Sequence, residues 1–214
     1  MTRLQKNWTV LVAGALLVTG GCSGKQEVPA NVDKQQIPLT CIGVMPVASG
    51  MDQEAGNSPA DAKSLKEGVK VLASLLQKQL AGRDDIRYVT PSQLQAIESS
   101  GPESSLARFR DVGNFLSCNG VLEVDLRRYR DRVGGQYTAK DPASVSFTYR
   151  LLEVNSGTVL CQGRYDEVQQ SVLENLYNFS SARKRGFTWI TAEELLREGV
   201  EQKLGECSYL KPVE

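Results

Sequence analysis

The strongest constraint on the fold is a change of hydrophobic period within residues 39–210. Along residues 65–80 the apolar side chains recur every three or four positions, as they do on one face of a helix. Along residues 121–129 and 145–151 apolar and polar side chains alternate, as they do in strands with one buried face. Helices and half-buried strands within one stretch of chain predict an α/β domain.

Turn and capping signals place the other elements. They are a strand at 40–48, a helix that begins at Pro59 and ends at Gly82, a strand at 86–89, helical segments at 90–100 and 103–117, a strand at 158–168 and a last helix capped by Thr191. The order β-α-β-α-β-β-β-α contains two βα units, which predict parallel pairing among the first three strands. The turn at residues 155–157 predicts an antiparallel hairpin. We predict a single α/β sandwich with a mixed sheet at residues 39–210 and a tail at 211–214.

Residues 1–21 have the pattern of a bacterial export signal. Two basic residues precede an apolar run at residues 10–18, which has about half the ~20 residues that a spanning helix needs. Small residues then lead to Cys22, and this arrangement resembles the lipobox of bacterial lipoproteins. The resemblance implies that the Cys22 thiol carries diacylglycerol. The alternative is an ordinary cleaved signal peptide followed by an unmodified cysteine.

Residues 22–38 predict a short flexible tether. The segment is polar, contains glycine and proline, and lacks apolar periodicity. A flexible chain of this length spans roughly 20–24 Å, so the folded domain would stay near the membrane. Ser23 follows Cys22 in place of the aspartate that marks inner-membrane retention in bacterial lipoproteins. We therefore predict a protein that is lipid-anchored on the periplasmic face of the outer membrane.

The strand segments also resemble a bacterial envelope superfamily. They read IGVMPV in the first strand, VLEVDLRRY in the third and FTYRLLEVNSGTVLCQGRYDE in the hairpin. The superfamily includes the amino-terminal domain of TolB, the lipoprotein activators of penicillin-binding proteins and the curli secretion lipoprotein. The resemblance implies a lipid-anchored, non-enzymatic binding or assembly domain. It implies no site residue beyond Cys22.

The chain contains no histidine, which excludes Ser-His-Asp triads, Cys-His dyads and HExxH metal sites. Glu123 and Asp125 lie two apart on one strand face, but arginines follow them at once, and this favours ion pairs over a pair of catalytic carboxylates. Gly134-Gly135 lacks the spacing of a phosphate-binding loop. We predict no enzyme activity, no cofactor and no metal.

Four cysteines follow Cys22, and none of them forms a CxxC motif. Free buried thiols and three disulfide connectivities are all possible in an oxidising compartment, and a zinc site would need all four thiolates. Cys41 opens the first strand and Cys118 precedes the third. If those strands are parallel neighbours, both thiols start from the same end of the sheet, so we favour a Cys41–Cys118 disulfide.

A basic and aromatic segment precedes the last helix. Its residues are Arg183, Lys184, Arg185, Phe187 and Trp189. With 25 basic and 25 acidic residues, the chain has no excess charge to attract nucleic acid. The segment is a candidate contact for a partner protein or anionic lipid, and the alternative is a solvated loop with a packed Trp189.

The predicted function is a binding or assembly domain that engages another envelope protein near the outer membrane. The alternative is an oligomeric secretion or assembly component resembling the curli pore lipoprotein. Such a pore needs long amphipathic hairpins, and the charges at 127–132 oppose a lipid-facing surface. An enzyme is the third and weakest interpretation. The identity of the partner and the oligomeric state are left open.

Overall fold

The fold is a mixed sheet with helices on both faces, seen in a computed structural model that describes residues 37–50, 59–98, 104–170, 183, 185–186 and 188–212. In chain order the elements are β1 (Ile42–Val44), β2 (Ala48–Ser49), α1 (Pro59–Gln79), β3 (Ile86–Tyr88), α2 (Pro91–Glu98), α3 (Ser105–Leu116), β4 (Gly120–Arg130), β5 (Val133–Gly134), β6 (Ala139–Asp141), β7 (Ser144–Glu153), β8 (Val159–Val168) and α4 (Ala192–Gly205). The elements all belong to one compact unit, Ile37–Glu214.

The main sheet has the order β3-β1-β4-β7-β8, and β2 pairs with β4 beyond the end of β1. Ile42 in β1 is the parallel partner of both Ile86 and Gly120, so β1 lies between β3 and β4. Strands β4, β7 and β8 pair antiparallel. The mixed α/β fold and its parallel first half are therefore confirmed.

Capping side chains define where the helices begin. Before α2, the Thr90 amide donates to Gln93 Oε1 at 2.9 Å, and the Gln93 amide donates back to Thr90 Oγ1. Thr191 and Glu194 make the same reciprocal pair before α4. These exchanges satisfy backbone amides that have no partner within the helix. Helix α1 begins at Pro59, and the serine expected to cap it, Ser58, lies outside the described residues.

Two segments differ from the sequence-based prediction. The first strand was expected to span 40–48, but β1 ends at Val44 and β2 begins at Ala48. Pro46 lies between them and has no amide hydrogen to donate to β4, so the pairing is interrupted. No strand was predicted between residues 129 and 145, but the short hairpin β5–β6 lies there.

The two faces of the sheet are covered unequally. Helices α1 and α4 pack over one face in a core that includes Leu72, Leu196, Leu122 and Phe147. On the other face, α2 and α3 pack over a smaller cluster that includes Phe109, Val121 and Leu152. The hydrophobic contacts of this second cluster stop at those residues. In the described part of the chain, no helix covers the rest of that face.

Both disulfides lie at the end of the sheet where the tether enters. Cys41 is bonded to Cys118, the pair favoured from the strand order, with Cα atoms 4.6 Å apart. Cys161 is bonded to Cys207, with Cα atoms 5.9 Å apart. At the same end, Asn119 Nδ2 donates to the Pro38 carbonyl at 2.9 Å. The entering chain is thus attached directly to the start of β4.

Candidate functional site

The uncovered part of the sheet carries charged and polar side chains from three strands. The register places Glu123 opposite Arg150, Asp125 opposite Thr148, and Thr148 opposite Arg164. Because side chains alternate along a strand, the residues between them point into the core under α1 and α4. We name the surface the charged sheet face. It comprises Glu123, Asp125, Arg127, Arg128, Ser146, Thr148, Arg150, Gln162, Arg164 and Asp166.

A β-bulge in β4 places two consecutive arginines at this surface. Leu126 pairs with Phe147 and Arg128 pairs with Ser146, so Arg127 is an extra residue with no partner of its own on β7. Bulges bend the strand locally and redirect a side chain, and they are frequent beside functional sites. Arg127 therefore lines an open depression together with Thr148, Arg150 and other residues of the charged sheet face.

Glu123 is held between two arginines. Its Oε1 accepts a hydrogen bond from Arg108 of α3, and its Oε2 accepts from Arg150 Nη2 at 2.6 Å. The guanidinium carbon of Arg150 also lies 5.6 Å from the centre of the Phe109 ring, which favours a cation over its face. Both carboxylate oxygens of Glu123 are thus occupied by arginine, the ion-pair arrangement that the sequence favoured over a catalytic pair.

Asp166 forms the second ion-pair cluster. It accepts from Arg128, whose Nε also donates to Ser144 Oγ at 2.5 Å, and from Arg164. Burial raises the pKa of Asp166, but the hydrogen bonds from Arg164 and Arg128 outweigh it and hold that pKa below its ordinary value. Asp166 therefore stays ionised at neutral pH, and the cluster keeps its charges.

Arg127 differs from the other arginines of the face. Its side chain is 40% exposed, and its closest acidic contact is Asp125 Oδ2, 3.4 Å from its Nε. That Nε is buried and has no hydrogen-bond partner among the described residues. An arginine carries five N–H donors in a planar fork, so this one has unused capacity for an acceptor.

Within the described residues, no cluster of side chains suited to a metal ion is present.

The described residues of the segment 183–189 lie near the β5–β6 hairpin, at the opposite end of the sheet from Cys41. The Trp189 amide donates to the Gln136 carbonyl at 2.7 Å in the β5–β6 turn, and Arg132 donates to the Trp189 carbonyl. Trp189 is partly buried and Arg183 is exposed. Lys184 and Phe187 lie outside the described residues, as does Cys22. Only part of this candidate contact can therefore be placed.

Arg185 is held inside the molecule. Its side chain is 8% exposed and pairs with Glu167 and Glu198, with Nη2 2.6 Å from Glu198 Oε2. Burial lowers the pKa of Arg185, but the hydrogen bonds to Glu198 and Glu167 raise it above its ordinary value. The guanidinium therefore joins β8 to α4. Contact between this segment and a partner stays a prediction, with Arg183 as its exposed described residue.

Sequence reasoning missed the largest part of the charged sheet face. Glu123 and Asp125 were noted as a pair beside the arginines that follow them, but Arg150 and Arg164 were not connected with that pair. Aligning the hairpin with β4 could have shown that these side chains share one surface, because Glu123 then lies opposite Arg150. No sequence signal marks the bulge at Arg127.

No family model matches the chain, and no curated protein matches its sequence. Among solved structures, the PelC dodecamer from Paraburkholderia phytofirmans is 15% identical over 82% of this chain and 89% of its own, with a TM-score of 0.37. Lipoprotein GNA1162 from Neisseria meningitidis is 14% identical over 69% of this chain and 96% of its own, with a TM-score of 0.37. The LpoB C-terminal domain from Escherichia coli is 11% identical over 62% and 86%, with a TM-score of 0.36. At these scores the similarity carries no argument about function, and the resemblance to TolB stays a prediction.

Proposed function

We propose that this protein is a lipid-anchored envelope component whose α/β domain binds another protein through the charged sheet face. The observation that carries the proposal is the part of the sheet that no described helix covers, where arginines from three neighbouring strands line one open surface. Arginine is enriched at protein interfaces and at their energetic hot spots. A broad, shallow and polar surface suits recognition of a partner better than it suits an enclosed reaction.

Anchoring rests on the amino-terminal sequence, and the disulfides support the compartment. The export signal ends at Cys22 in a pattern that resembles a lipobox. The domain contains two disulfides. Disulfides form and persist in an oxidising envelope and are uncommon in the cytosol. In the described part of the chain, no helix is long and apolar enough to cross a membrane. The export signal, Cys22 and the disulfides support a domain held in the envelope by acyl chains, and Ser23 after Cys22 favours the outer membrane.

The anchor is tested by Cys22→Ala. Without the thiol there is no site for diacylglycerol, so we expect an uncleaved or soluble protein that no longer incorporates labelled palmitate. The measurement is palmitate labelling combined with the intact mass of the membrane fraction. A Cys41→Ala/Cys118→Ala variant serves as the control and should still be labelled. Membrane attachment with a normal mature mass in Cys22→Ala would contradict lipidation.

The binding surface is tested by site-specific photocrosslinking in the native envelope. Benzoylphenylalanine replaces the exposed Gln162 on the charged sheet face or, as the control, the exposed Lys66 on α1. We expect a discrete product with one other envelope protein from position 162 and none from position 66. Equal products from both positions, or no product from 162, would contradict the proposal. A product of twice the chain mass would instead favour the oligomeric assembly component.

A further inference from the structure

We propose that the end of the domain where the chain enters it rests against the bilayer surface, with Phe115 inserted among the lipids. The inference rests on the proposed lipid anchor, and it adds which part of the fold that anchor brings to the membrane. We name this surface the tether end. Its residues surround the start of β1 and β4, and they are Pro38, Arg87, Arg110, Phe115, Asn155 and Val159.

Hydrogen bonds bring the parts of the tether end together. Asn119, directly before β4, donates to the Pro38 carbonyl, and its own carbonyl accepts from the Val154 amide in the turn between β7 and β8. Arg110 of α3 donates to the carbonyls of Val154 and Asn155 in that turn, at 3.3 and 3.1 Å. The entering chain, α3 and the turn between β7 and β8 therefore share one surface.

The length of the chain before the domain decides which end of the fold meets the membrane. Residues 23–38 span roughly 20–24 Å as a flexible chain. The 11 residues of β4 run from the tether end towards the β5–β6 hairpin, a length of about 36 Å at ~3.3 Å per residue. An anchor at Cys22 therefore brings the tether end to the bilayer surface more often than it brings the opposite end of the sheet, where Trp189 contacts that hairpin.

The tether end carries apolar side chains that are open to solvent. Phe115 lies in the last turn of α3 and is 52% exposed, whereas Phe109 of the same helix is buried. Val159 begins β8 just after the turn and is also exposed. Phenylalanine side chains at a membrane surface lie about 5–10 Å deep, at the boundary between headgroups and acyl chains. Contact with the bilayer therefore removes apolar surface of the tether end from water.

Arg87 and Arg110 give the tether end positive charge. Arg87 donates to the carbonyl of Leu116, the residue after Phe115, and Arg110 donates to the two carbonyls of the turn. Both arginines are exposed, and among the described residues neither has a carboxylate at ion-pair distance. Neutral acceptors thus hold these guanidinium groups in place and leave their charge uncompensated. Such groups attract anionic lipid headgroups and donate to phosphate oxygens.

A bilayer fits the tether end better than a soluble anion does. Arg87 is bonded to the residue next to Phe115, so a cationic and an apolar group lie side by side. A layer of lipids offers phosphates to the arginine and acyl chains to the phenyl ring in one arrangement. A soluble polyanion would leave Phe115 in water. With the tether end on the membrane, the strands run away from the bilayer, and the charged sheet face stays accessible to a protein partner.

The test compares a fluorescent label at two matched positions. The mature, lipidated chain is reconstituted into vesicles of phosphatidylethanolamine and phosphatidylglycerol that contain a lipid with a doxyl quencher on the upper part of an acyl chain. A nitrobenzoxadiazole label is attached at Asn114→Cys, beside Phe115, or at Thr138→Cys, beside Tyr137 in the β5–β6 turn. Asn114 and Thr138 are both exposed, and Tyr137 is the more exposed of the two aromatic neighbours.

We expect the lipid quencher to reduce the fluorescence of the label at position 114 by about half or more, because a group at the interface lies within about 10 Å of the acyl chains. The label at position 138 should keep its fluorescence. Equal quenching at the two positions, or quenching at position 138 alone, would overturn the inference. Because the comparison uses exposed positions and leaves Phe115 in place, it does not depend on a variant that disturbs the core.

Three variants of the chain labelled at position 114 test the side chains themselves. Phe115→Ser should lower the quenching about twofold or more, since the group that enters the lipid is gone. Arg110→Gln should lower it by a smaller factor, because one of the two arginines remains. Arg183→Gln is the matched control, since Arg183 is an exposed arginine of the segment at the opposite end of the sheet, and it should leave the quenching unchanged. Undiminished quenching in Phe115→Ser with a normal urea midpoint would overturn the role of Phe115.

Flotation of the same vesicles separates this inference from the proposed function. A lipidated chain floats with the vesicles through its acyl chains, whichever end of the domain faces the lipids. A chain that floats but shows no quenching at position 114 would overturn the contact and leave the anchor in place. A chain that does not float would overturn the anchor itself. The crosslink from position 162 tests the charged sheet face independently of both results.

Discussion

Alternate side chains of strand β7 point to opposite sides of the sheet, and the two sides differ in chemistry. Phe147, Tyr149 and Leu151 are buried under α1 and α4, whereas Thr148 and Arg150 between them belong to the charged sheet face. The first set removes apolar surface from water, which is the main favourable term in folding. In the second set, Arg150 makes an ion pair with Glu123 that is partly open to solvent and adds little to stability. One face of the strand thus provides most of its folding energy, and the other face carries the proposed binding surface.

The largest expected effect comes from truncating the buried face. Phe147 is fully buried, and its ring lies 5.7 Å from that of Tyr165. Phe147→Ala leaves a cavity in the main core, so we expect a loss of about 3–5 kcal/mol in the free energy of unfolding. Urea denaturation followed by circular dichroism measures it. A loss below about 1 kcal/mol would mean that this face does not carry the stability of the domain.

Removing the Cys161–Cys207 disulfide should have the next largest effect on the free energy of unfolding. Cys161 of β8 is bonded to Cys207, which follows α4, so the bond ties that helix to the edge of the sheet. We expect Cys161→Ala/Cys207→Ala to lose about 2–4 kcal/mol through the added freedom of the unfolded chain. Peptide mapping without reduction should find Cys161 joined to Cys207 and Cys41 joined to Cys118. Freely alkylable thiols in the oxidised protein would contradict both pairs.

Glu153 lies at the hairpin end of β7, apart from both surfaces compared above. Its carboxylate should make the stability of the folded protein sensitive to acid. Its carboxylate accepts from the side chain and amide of Ser156 and from Asn155, and these bonds outweigh burial to lower its pKa from 4.5 to about 2. Because the folded-state pKa is lowered, this stabilisation is complete above pH 4.5 and is lost as the pH falls towards 2.

A Glu153→Gln variant separates that contribution from general acid unfolding. We expect the variant to be less stable than the unchanged protein at pH 7, and the difference should shrink between pH 4.5 and pH 2. The measurement is the urea midpoint at a series of pH values. Parallel curves for the two proteins over this interval would show that the hairpin carboxylate does not contribute to acid sensitivity.

The smallest expected effect on stability is on the charged sheet face itself. Arg150 is 45% exposed at its side chain and pairs with Glu123. We expect Arg150→Ala to change the free energy of unfolding by less than about 1 kcal/mol, because exposed ion pairs are screened by water and salt. The same denaturation measurement checks it. A loss as large as that of Phe147→Ala would show that the two faces do not differ in their contribution to stability.

Much of the architecture could be predicted because its signals are local. The spacing from Leu65 to Leu80 predicts α1, and the alternation after Gly120 predicts β4. Thr191 and Glu194 predict the start of α4, since a capping box depends on residues three positions apart. The site was less predictable. The arginine run after Asp125 predicts ion pairs, but it does not say that Glu123 pairs with Arg108 and Arg150.

The sequence by itself determined the fold class, parallel pairing among the first three long strand segments, and which residues alternate on each strand. These follow from periodicity, capping and short connections, all of which act over a few residues. Only the tertiary structure decided that α2 and α3 cover no more than part of one sheet face, that Arg127 occupies a bulge, and that Arg185 pairs internally with Glu167 and Glu198. Those outcomes depend on where helices dock and how two strands align, and docking and alignment join residues that are distant in the chain.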